Sequence, residues 1–177
     1  MSNLNLPFSE IEDDLQSYQP GNIIARLIDG LGYRFHWATD GLTIDNLEYR
    51  PCESAKSTFE TLQHIFSLSE TILLVSERKP NIRPYQSVKM DFGETRKLTL
   101  MNLNTARANF LNVGVNEIGG HKVVFQFPDK EVVYPFWNFL NGQIMDAIYH
   151  VGQVVLMRRA NGNPMSSKVR VFYGKNV

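Results

Sequence analysis

Disulfide chemistry is excluded first, because Cys52 is the only cysteine in 177 residues and no intrachain bridge can form. It follows Pro51 in a polar loop and carries no redox motif, so the composition suits a reducing compartment. Net charge is missing too. The 18 basic residues balance 18 acidic ones, which removes any general electrostatic attraction to nucleic acid or anionic lipid. No apolar run is long enough to span a bilayer, and no charged-then-apolar signal opens the chain. A cytoplasmic protein with neither a membrane nor a nucleic-acid partner is expected. The usual catalytic signatures are also lacking: there is no GxSxG, no Gly-rich phosphate loop, no HExxH and no CxxC. What remains is an ordinary globular composition, 43% hydrophobic and 20% charged. The length suits one domain over 20–177, preceded by a polar, acidic lead-in over 1–19 that is expected to be loosely ordered.

Hydrophobic periodicity organises the rest. Pro20 opens a helix in which Ile24, Leu27, Ile28, Leu31, Phe35 and Ala38 recur at three-and-four spacing, and Asp40-Gly41 stops it. Gly30 and Gly32 weaken this helix unless they serve close packing. His36, in its last turn, reads as a surface or capping histidine, with a cavity role as the alternative. A loop leads to Ser57, which with Glu60 has the spacing of a capping box. The second helix then runs to about Lys79, with Leu62, Ile65, Phe66 and Ile72 on its core face and His64 off it. Residues 81–93 read as a loop whose Tyr85, Val88, Met90 and Phe92 are lid or interface candidates. The third helix is predicted over Thr95–Val113. His121 belongs to a loop, and Val123, Phe125 and Phe127 alternate with polar or smaller neighbours as one short strand. Pro135 suits the first turn of a fourth helix ending at Arg159, with two cations at its negative end. The tail KVRVFYG is β-like and is expected to lie against the strand near residue 124. Four long amphipathic segments with little strand predict an all-α four-helix bundle, with a short β-like segment near 121–127 and an extended C-terminal tail.

The fourth helix carries the chemistry. Asp146 and His150 stand four residues apart, so their side chains share one face. Gly142, Gln143, Tyr149, Gln153 and Met157 lie along or beside that stripe. Leu140, Ile144, Ala147, Val151, Val154 and Val155 form the opposite, apolar one. An aspartate and a histidine so placed can share one cation if another helix completes the site. They serve equally as a surface ion pair, and the residues alone leave both readings open.

Two passages, GLTIDNLEYRPCESAKSTFETLQHI and DAIYHVGQVVLMRRANGNP, together with their order and separation, resemble the DinB-like (DinB/YfiT) superfamily of metal-binding four-helix bundles, over a stretch from about Ile24 to the end. The family pattern places a histidine about two turns into the second helix, which matches His64. It also places a histidine pair just before a Gly-Gln in the fourth helix. Here the Gly-Gln is Gly152-Gln153, the later histidine is His150, and the earlier position holds Asp146. The resemblance therefore implies a divalent-metal site of His64, Asp146 and His150, two imidazoles and a carboxylate in place of three imidazoles. Zinc or nickel leads, with manganese or iron as alternatives. Gln153, Tyr149 and His36 are the residues expected beside the site or its cavity. The resemblance further implies metal-dependent thiol transfer with a low-molecular-weight thiol, or hydrolysis of a small-molecule substrate. The competing reading is a non-catalytic, stress-associated or ligand-binding bundle with a degenerate metal site. A homodimer is plausible for such a bundle, with Trp37, Phe92 and Trp137 as candidate exposed apolar residues.

Overall fold

The structure is a computed structural model that describes residues 6–15, 17–85 and 89–177. Pro20 occupies the first helical position of α1 (Pro20–Thr39), where its missing N–H costs nothing, and Gly41 turns the chain away in a left-handed conformation, φ 68°. The loop that follows contains a short helix, α2 (Ile44–Glu48), which periodicity could not reveal because it lasts barely one turn. Ser57 caps α3 (Thr58–Ser76) reciprocally: the Glu60 N–H donates to Ser57 Oγ at 3.1 Å, and the Ser57 N–H donates to Glu60 Oε2 at 2.7 Å. This helix ends at Ser76, three residues before the expected Lys79, because Arg78 turns left-handed at φ 56°.

The structure departs from the expected elements at two further places. The segment 81–93 is not all loop: Asn81–Ile82 forms a strand, β1. Nor does the third long helix begin at Thr95. Asp91 caps α4 (Phe92–Phe110) through the Glu94 N–H at 2.8 Å, so the helix starts three residues earlier and finishes three earlier than Val113. Val88 lies outside the described residues.

After α5 (Val115–Ile118), the predicted strand appears as β2 (Val123–Gln126). It pairs in parallel with β1, Asn81 opposite Phe125, and antiparallel with β3 (Glu131–Tyr134), Val123 opposite Tyr134. The tail does not join this sheet. Its strands β4 (Val169–Arg170) and β5 (Lys175–Asn176) pair with each other, and Ile11 N–H donates to Gly174 O at 2.8 Å, so the tail lies with the N-terminal segment instead.

Pro135 caps α6 (Phe136–Asn138), which passes through a π-helical turn, Phe139–Ile144, into α7 (Met145–Ala160). Four helices form the bundle. α1 packs on α4 and α7, and α3 packs on the same two, so each long helix has two neighbours. The core runs through Ile28, Leu31 and Phe35 of α1, Leu62, Ile65 and Ile72 of α3, Leu100, Leu103 and Phe110 of α4, and Val151 and Val154 of α7. Full burial of each such side chain contributes about 1.5–3 kcal/mol. The lead-in contributes Phe8, which is buried against Gly32. Trp137 is 71% exposed as expected, whereas Trp37 and Phe92 are half-buried. Among the described residues no helix is long and apolar enough to cross a membrane.

Candidate metal centre

The polar stripes of α3 and α7 meet where these helices pack. His64 comes from the second turn of α3, and Asp146 and His150 from the first two turns of α7. Four helical residues advance roughly 40° past one full turn, so the α7 pair stands on one face. His64 Nε2 lies 3.3 Å from Asp146 Oδ2, and His150 Nε2 lies 3.3 Å from Asp146 Oδ1. The two imidazole rings are edge to face, with centroids 4.6 Å apart. One donor atom from each of the three residues falls within 4.8 Å of the others.

Hydrogen bonding fixes one ring. His150 Nδ1 is 2.7 Å from Gln153 Oε1, an oxygen that can only accept, so Nδ1 carries the hydrogen. His150 Nε2 then presents its lone pair to a carboxylate oxygen. Two electron-rich atoms at 3.3 Å repel each other unless a cation, a proton or a metal ion, lies between or beside them. A four-coordinate divalent ion with bonds of about 2.0–2.1 Å would set its donors roughly 3.3 Å apart. Each imidazole meets that spacing to one of the two Asp146 oxygens, and one ligand atom from each residue lies within 4.8 Å of the others, so the donor set suits such an ion. Burial pushes the His64 imidazole below its ordinary pKa. The Asp146 carboxylate resists this, while the charges of His150 and Lys56 add to it. The lowered value favours the neutral, metal-binding ring.

The site stays open to solvent on one side. The side chains of His64, Asp146 and His150 are 33%, 40% and 16% exposed, which leaves room for an exogenous ligand. Gln143, one turn before Asp146 in the π-helical segment, buries its Oε1 without a hydrogen-bond partner among the described residues. π-turns of this sort recur next to functional sites.

The residues expected nearby divide. Gln153 orients His150 directly. Tyr149 lies edge-on to the His150 ring, centroids 5.4 Å apart, and is 65% exposed. His36 keeps other company. It is buried, its Nδ1–H donates to Pro7 O at 2.8 Å, and its own carbonyl accepts from Arg96, so it anchors the N-terminal segment instead of facing the triad or solvent. Met157, read as part of the polar stripe, is buried and accepts from the Thr58 hydroxyl. Sequence reasoning missed Asp29, a buried carboxylate on a helix otherwise read for its apolar stripe. Its only signal was a charge among core-spaced residues.

No protein-family model and no curated protein matches the chain. The fold does match solved structures. One is a DinB-like protein from Bacillus subtilis, with a TM-score of 0.57 and 14% identity over 79% of this chain and 92% of that one. Another is a DinB family member from Shewanella denitrificans, with a TM-score of 0.51 and 14% identity over 84% of this chain and 86% of that one. The chain thus has the DinB-like helical-bundle fold that its sequence resemblance implied.

Proposed function

We propose that this protein binds one divalent metal ion through His64, Asp146 and His150 and uses it on a small-molecule substrate, in thiol transfer or in hydrolysis. The observation that carries the reading is the placement of His150 Nε2, its lone pair held toward Asp146 by the Gln153 hydrogen bond. A bound divalent ion would supply a lowered pKa for a coordinated thiol or water and polarise an electrophile. The protein's own residues do the rest. Two neutral imidazoles and one carboxylate hold the ion, and the carboxylate adds a negative charge that shifts preference toward harder ions. Zinc or nickel leads among the ions, with manganese or iron next.

A second reading has support in the same geometry. A proton instead of a metal between His150 and Asp146 would make a His–Asp–His brace joining α3 to α7, in a bundle that binds small molecules without turnover or serves a stress response. Elemental analysis of the purified protein beside Asp146→Ala and His150→Ala separates the two. Stoichiometric metal in the parent, lost in both variants, is the expected outcome. A parent that takes up no zinc, nickel or manganese on loading would leave the brace.

A further inference from the structure

The outward face of α7 carries apolar side chains where polar ones are expected. An amphipathic helix turns its charged and polar residues to the side opposite its core face. Here the core face is Ala147, Val151 and Val154, and roughly opposite it, at about 100° per residue, stand Met145, Tyr149, Gly152 and Leu156. Met145, Tyr149 and Leu156 are 44%, 65% and 66% exposed. Their steps of four, three and four residues, counted through Gly152, are those of the seam between two coiled helices. Gly152 is exposed too, and nothing lies within 4 Å of where its Cβ would stand, so it forms an open socket in the stripe. None of the four is a ligand of the metal triad.

The order of large and small side chains along the stripe says what covers it. Two copies of α7, packed antiparallel about a two-fold axis passing between His150 and Val151, set Tyr149 of each against Gly152 of the other and Met145 against Leu156, because both pairs share that midpoint. Each tyrosine ring then fills the other copy's socket. The flanks agree with this register. On one side Ile148 comes beside Val155, both half-buried and apolar, and on the other Asp146 comes beside Gln153, so no like charges face each other. The chain's balanced charge adds no repulsion between copies. An unrelated partner would have to match this large-to-small order, whereas a second copy matches it by symmetry.

We infer that this stripe is a homodimer seam, α7 against the α7 of a second copy, antiparallel, with Tyr149 seated over Gly152. The seam is about three turns long, which suits weak association, with a Kd of about 10–100 μM. Sedimentation equilibrium of the full, metal-free chain tests it, under reducing conditions that keep the exposed Cys52 from linking copies. At about 0.5 mM the average mass should approach twice the 20.3 kDa of the chain. Tyr149→Arg and Gly152→Leu should each raise Kd about tenfold or more. Gly152→Leu is the more telling variant, because it fills the socket yet gains helix propensity, so the dilute monomer should melt no lower than the parent. A parent that stays monomeric, a dimer that either variant leaves at full strength, or a mass that keeps growing past the dimer would each overturn the inference.

Discussion

The Gln153 amide decides which nitrogen of His150 is free, so its effect on the metal centre reaches beyond its own contact. Removing such an orienting partner typically costs about 10–100-fold in metal affinity. Gln153→Leu is therefore expected to weaken zinc binding by that factor in chelator competition while the fold melts normally. An unchanged affinity would show that packing alone holds the ring. Two other histidines matter to stability instead. His121 is buried, with Nδ1–H donating to Val75 O at 3.0 Å and Nε2 accepting from Arg78. Burial depresses its pKa, the Arg78 charge adds to this, and the Val75 carbonyl opposes it. Burial likewise depresses His36, against the pull of the Pro7 carbonyl. A histidine whose folded pKa lies below its unfolded one leaves the unfolded chain binding more protons, so stability is full above the ordinary value and falls as pH drops toward the folded one. The urea midpoint of the metal-free protein should thus fall between about pH 7.5 and pH 5.5, and less so in His121→Gln. A slope identical in the variant would assign the effect elsewhere.

Among the elements, the π-turn decides which side chains enter the core. In a regular α-helix, residues five apart point roughly 140° away from each other, yet Phe139 and Ile144 are both fully buried. The wider π-turn, bonding i to i+5, brings them to one side. Leu140, which strict α periodicity assigns to the apolar stripe, is left half-buried. Glycines in helices serve different ends. A Cβ on Gly32 would stand 2.5 Å from Phe8 Cγ, so Gly32→Ala should cost about 1–3 kcal/mol by overpacking. Nothing lies within 4 Å of a Cβ on Gly152, in the interior of α7. Gly152→Ala should stabilise by about 0.5–1 kcal/mol through helix propensity. Denaturant titration of both variants measures the contrast, and equal effects would contradict it.

For the molecule as a whole, Arg158 closes the bundle. Sequence position makes it one of two cations at the end of α7, but its side chain is buried. Its Nη1 donates to the carbonyls of Trp37, Ala38 and Asp40, each at 3.0 Å, and its Nε donates to Asn163 O at 2.7 Å. One planar guanidinium thus satisfies the last carbonyls of α1 and the loop after α7. Arg158→Met leaves those acceptors unpaired and should cost about 3 kcal/mol or more in urea unfolding, with Arg158→Lys intermediate. A loss below about 1 kcal/mol would mean that water replaces the contacts. By itself, the sequence determined the four long helices, the Ser57–Glu60 cap, one strand and the Asp146–His150 face, because each rests on neighbours three or four residues apart or on strict alternation. It also offered His64, through resemblance, as the ligand from another helix. Only the tertiary structure decided the rest. The pairing of β1 with β2, the tail folding on itself, the use of Arg158, and the meeting of His64 with Asp146 across 82 residues depend on which surfaces pack together. So does the exposure of Met145, Tyr149 and Leu156, a stripe whose outward turn is fixed only once the opposite side of α7 is packed.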